Sequence, residues 1–105
     1  MHVVDHEPHH WFLLDDDGLL HLDVHCNHGP VGYSVLVALD DTETRDLCEQ
    51  GRDYLHRLAD AIQDSAPLAR GSRSPYRERD LTATHRQRVS DAVEAWRAVR
   101  PRYEH

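Results

Sequence analysis

Leu20, Leu22, Val24 and Cys26 recur at every second position, and His21, Asp23 and His25 fill the positions between them. Successive side chains of a strand point to opposite faces, so a period of two means a β-strand with one apolar and one polar face. Directly before this strand stands Asp15-Asp16-Asp17-Gly18, preceded by the apolar run Trp11–Leu14. Asp-Gly between two such runs predicts a tight hairpin, because its central residues need positive φ. This part of the chain is thereby committed to an antiparallel sheet.

Asn27-His28-Gly29-Pro30 predicts the next turn, and Val31–Leu39 the third strand. That strand is apolar on both faces apart from Ser34, so it needs cover on both sides, from a helix or a partner subunit. Residues 1–10 show no period and read as a loosely ordered lead-in; the alternative is a short fourth strand at Val3–Val4.

After the third strand the period changes. Asp40 and Glu43 stand in the capping-box relation, and Leu47, Gly51, Tyr54, Leu55, Leu58 and Ile62 follow at steps that keep one helical stripe. One helix is expected from Asp41 to about Ser65, with Gly51 marking a close packing contact. Residues 66–80 form a loop rich in Pro, Gly, Ser and Arg. A last helix is expected over Thr82–Val99, with Val89, Ala92, Val93, Trp96 and Val99 as its apolar stripe and Pro101 as its stop.

The expected architecture is a single α+β domain over residues 1–105. It is a three-stranded antiparallel β-meander followed by two α-helices packed on one face, in the order β-β-β-α-α. Leu20, Leu22, Val24, Leu55, Leu58, Ile62, Val93 and Trp96 are expected to share one core.

Several function classes lose weight at this point. No apolar run approaches the roughly 18 residues needed to cross a bilayer. Two cysteines, Cys26 and Cys48, do not make a disulfide framework, and reduced thiols imply a cytoplasmic protein. The formal charge is −7, split into −11 over residues 1–66 and +4 over residues 67–105. The larger part would repel phosphates, which argues against general nucleic-acid binding and permits docking on a basic protein surface.

Four constellations bear on chemistry. His6-Glu7-Pro8-His9-His10 matches H-E-x-x-H formally, but Pro8 and the absence of an amphipathic helix deny it the geometry of a zinc protease. His21, Asp23 and His25, with His28 close by, have the ligand types for a divalent metal such as zinc. On a straight strand His21 and His25 stand roughly 13 Å apart, so a site would use Asp23 and His25 with His28 or a residue from elsewhere. The favoured account is a solvated polar face. Cys26, despite flanking histidines, belongs to the core side, and Cys48 beside the helical stripe is read as buried too. Arg70, Arg73, Arg77 and Arg79 suit anion recognition, but pairing with the acidic first helix is the plainer account.

Asp46, Glu49, Asp53, Asp60 and Asp64 fall at steps of three, four, seven and four and would make an acidic ridge along the first helix. The leading expectation is therefore a small acidic protein-binding module, of the immunity or inhibitor kind, with a basic partner. A metal-binding protein or metal-dependent enzyme using His21, Asp23, His25 and His28 is the second. An accessory subunit that dimerises through its sheet is the third. No motif compels an enzymatic assignment.

Overall fold

In this computed structural model residues 1–26, 32–65, 67–69 and 71–99 are described. Strands β1 (His2–Glu7), β2 (Trp11–Asp16), β3 (Leu19–Cys26) and β4 (Tyr33–Ala38) form one antiparallel sheet in the order β1-β2-β3-β4. Helices α1 (Asp41–Gln50), α2 (Arg52–Asp64) and α3 (Thr82–Ala98) follow. The α+β class with strands first holds. The strand count, the helix count and the placement of both helices on one face do not.

The β2–β3 hairpin closes as its sequence demands. Asp16 pairs with Leu19, and the two residues between them carry φ of 52° (Asp17) and 90° (Gly18). Two positive φ angles match the right-handed twist of the flanking strands. The extra strand is β1, which replaces the expected loose lead-in. Its register against β2 shifts between Val3 and Asp5, leaving Val4 half exposed. A bulge of this kind interrupts alternation, which is why no period is visible in residues 2–7.

The expected long helix is two helices. Gly51 has φ 70° and ψ −152°, a conformation that L side chains rarely adopt, and its N–H donates to the Leu47 carbonyl as the C-cap of α1. The capping box forms as expected: the Asp40 carboxylate accepts from the Glu43 N–H at 2.8 Å, and Glu43 accepts from the Asp40 N–H at 2.9 Å.

Each face of the sheet carries its own core. On one, Leu22, Val24, Cys26, Val35 and Val37 pack with Leu55, Leu58 and Ile62 of α2, joined by Leu20. On the other, Leu14 and Leu36 pack with Ala92 of α3, joined by Phe12 and Val89. Trp96 therefore does not join Leu58 and Ile62. It packs against His6 and Phe12, at ring separations of 4.4 and 5.4 Å, and Val93 rides on the same helix. The reason lies in β4, which is apolar on both faces and needs two covers. Only Leu39 and Asp40 separate β4 from α1, whereas the long segment after α2 carries the chain round to the far side.

That segment also closes the β4 edge. Asp80 accepts from the Leu36 N–H at 3.0 Å, and the Leu81 N–H donates to the Leu36 carbonyl at 2.8 Å. The Thr82 hydroxyl accepts from the Leu36 N–H at 3.1 Å, and Arg79 donates to the Ala38 carbonyl while pairing with Glu43 of α1. Backbone groups that would otherwise template another strand are thus satisfied within the chain.

Candidate functional site: a groove beside Asp23

Alternation along β3 sends His21, Asp23 and His25 to the face that α3 covers. The register sets Asp23 between Phe12 of β2 and Leu36 of β4, and His25 opposite Ser34. Because α3 packs mainly on β1 and only lightly on β4, the sheet on either side of Asp23 is left incompletely covered. Two clefts result, of about 440 and 600 Å³, and both have Asp23 and Ser34 in their floor. His6, His9, His25, Phe12, Trp96 and Arg97 wall the first. Asp80, Thr82, Arg86, Val89 and Leu68 wall the second.

Burial, and secondarily the charge of Asp80, pushes the Asp23 carboxyl up to about 6. Asp80 cannot relieve the repulsion by turning away, because it accepts from the Leu36 N–H, the Thr82 N–H and the Thr82 hydroxyl. Among the described residues no hydrogen bond or ion pair engages the Asp23 carboxylate. Below about pH 6 such a carboxyl holds a proton it can donate, and above that it is a carboxylate that accepts.

The remaining members of the expected metal set are dispersed. His21 is no wet-face ligand: it is 2% exposed, its Nδ1 lies 3.0 Å from the Leu19 carbonyl, and its ring packs on His85. His25 is exposed at the end of β3, with its ring against the Cα of Gly32, where an added methyl would come within 3.0 Å of the imidazole. His28 lies outside the described residues. Among those described, no three His, Cys, Asp or Glu side chains come together closely enough to hold a metal ion.

The other constellations resolve as packing. Cys26 is buried and its thiol is pushed up to about 11 by burial, whereas Cys48 is exposed, contrary to expectation. It lies one position, about 100°, round α1 from Leu47, which packs against the core. Glu7 of the H-E-x-x-H match ends β1 and is held by Arg52 at 2.7 Å, and His10 sits in a turn 3.4 Å from Asp60, so no helix presents the pair. Arg79 pairs with Glu43 as expected, Arg77 donates to the Ala69 carbonyl, Arg73 is exposed, and Arg70 lies outside the described residues.

The acidic ridge loses its continuity. Asp46 and Glu49 lie on α1, Asp53, Asp60 and Asp64 on α2, and the turn at Gly51 breaks the phase between them. All but the half-buried Asp46 are exposed.

Sequence reasoning passed over Phe12, Ser34, Arg86, Trp96 and Arg97 as neighbours of Asp23. Ser34 carried a signal, as the single polar residue of an apolar strand. No helix among the described residues is long and apolar enough to cross a membrane. No protein-family model matches the chain, and comparison with curated proteins and with solved structures returns no match.

Proposed function

We propose that the protein is a small ligand-binding domain whose ligand lies in the groove between α3 and the β3–β4 half of the sheet, against Asp23. The observation that carries this is the position of that carboxyl: partly buried, without a partner among the described residues, and in the floor of both clefts. Asn or Thr would satisfy the strand at lower cost, because neither has to be ionised or protonated in a place that water reaches poorly. A polar group that costs stability and opens on a cleft suits a site better than a scaffold. The test is an amide NMR screen against mixtures of metabolites. Binding should move the resonances of Asp23, Ser34 and Ala83, and Asp23→Asn should weaken it. Hits confined to other surfaces, or untouched by Asp23→Asn, would remove the groove from consideration.

A second reading is favoured by one observation: Glu49, Asp53, Asp60 and Asp64 all face solvent on α1 and α2, opposite the side that packs on the sheet. Such a surface suits docking on a basic protein partner, as an immunity or inhibitor protein would. Capture of a partner whose association rate is unchanged in Glu49→Gln/Asp53→Asn at low salt would discard it, since exposed charges act chiefly on association.

A further inference from the structure

The chemistry of the first cleft narrows the ligand. Among its lining residues the guanidinium of Arg97 only donates, the imidazoles of His9 and His25 and the Ser34 hydroxyl can each donate or accept, and Asp23 supplies the one carboxyl. Arg97 has no ion-pair partner among the described residues, although acids outnumber arginines nineteen to twelve in the chain. It stands one residue beyond Trp96, whose ring meets Phe12 edge to face at 5.4 Å; both rings are only part-buried and border the cleft. Phe12 is the cross-strand neighbour of Asp23. Three kinds of group therefore line one cavity of about 440 Å³: the aromatic rings of Phe12 and Trp96, the Arg97 guanidinium with neighbouring imidazoles, and the Asp23 carboxyl.

Resting on the reading of this groove as a ligand site, we infer that the first cleft takes a planar heteroaromatic molecule carrying one phosphate or carboxylate group. The ring lies against Phe12 and Trp96, because aromatic faces attract flat π-systems in offset or edge geometry. The anionic group meets Arg97, which can bind carboxylate or phosphate through two parallel hydrogen bonds, with His9 and His25 as further donors. A ring N–H or exocyclic amine meets Asp23. A cationic ligand fits less well, since reaching Asp23 would bring it beside the Arg97 guanidinium.

The experiment uses the whole chain labelled with ¹⁵N and two matched pairs of probes: indole-3-acetate against tryptamine, and guanosine monophosphate against guanosine. Inorganic phosphate is added as the anion without a ring. The readouts are the Trp96 indole N–H and the Asp23 and Ser34 amides. The anionic member of at least one pair should shift all three signals and bind about tenfold more tightly than its uncharged or cationic counterpart. Arg97→Gln should abolish that preference, while Arg73→Gln, in the loop away from the cleft, should not. The pair that responds tells carboxylate from phosphate. If tryptamine or guanosine shifts the groove signals as strongly as its partner, the anionic class is wrong and the groove remains a ligand site. If phosphate alone binds as tightly as the best ring compound, the aromatic half of the inference fails. If no probe moves any groove signal at millimolar concentration, the inference is overturned together with the reading it rests on.

Discussion

Asp23→Asn should make the protein more stable, and more so as pH rises. An aspartate in an unfolded chain titrates near 3.8, whereas burial and the Asp80 charge push the folded Asp23 up to about 6. Below the lower value both states carry the proton and the carboxyl contributes no difference. As pH climbs between the two values, the unfolded chain ionises while the folded one cannot, so stability is lost. Above about 6 the loss is complete and constant. The difference between the two values corresponds to about 3 kcal/mol. Asn keeps the shape and does not titrate, so it escapes this loss. The advantage of Asp23→Asn over the parent should grow from its value near pH 4 by about 3 kcal/mol near pH 7.5. Replacing acid by amide can add a constant offset, which leaves this pH-dependent part untouched. Urea unfolding of both proteins at several pH values measures it directly, and taking the difference cancels every group common to the two. A difference that does not change with pH, or that favours the parent more as pH rises, would mean that Asp23 is solvated or paired in the folded state. The groove would then lose its central feature.

Three further outcomes follow from packing and backbone geometry. Leu58→Ala removes a buried side chain of α2 from the first core and should cost about 2–5 kcal/mol in urea unfolding; parental stability would show that α2 does not pack on β3. Gly51→Ala forces a Cβ into the φ 70°, ψ −152° conformation between α1 and α2 and should cost about 1–3 kcal/mol, although open space surrounds the site; a stabilised variant would mean one continuous helix. Asp80→Ala strips the acceptor from the Leu36 and Thr82 N–H groups, should cost about 1–3 kcal/mol, and should make the protein self-associate with concentration in light scattering as the β4 edge opens; a monomer as stable as the parent would show that the latch carries no weight.

The sequence alone was enough for features decided by neighbours a few residues apart. The Asp17-Gly18 turn, the alternation of Leu19–Cys26 and the Asp40/Glu43 capping box are local, and each appears where it was expected. α3 begins at Thr82, as its apolar spacing indicated. The need of β4 for cover on both faces was also legible from composition. Tertiary structure alone decided what supplies that cover. An amphipathic stripe says that a helix must be buried, not which side of a sheet it will find, and the segment between α2 and α3 is long enough to reach either. The landing of α3 on the far face turned a polar strand face into a groove. It buried His21, left Asp23 without a partner among the described residues, and brought Trp96 and Arg97 beside it from more than seventy positions away in the chain. The bulge in β1 hid a strand by breaking its period. The apolar spacing runs on through Gly51 in the sequence and hides a helix break that only the backbone angles reveal. Periodicity records which side of each element seeks burial; the meeting of those sides in space depends on contacts between residues far apart in the chain, such as Arg79 with Glu43 and Asp80 with Leu36, which no local pattern encodes.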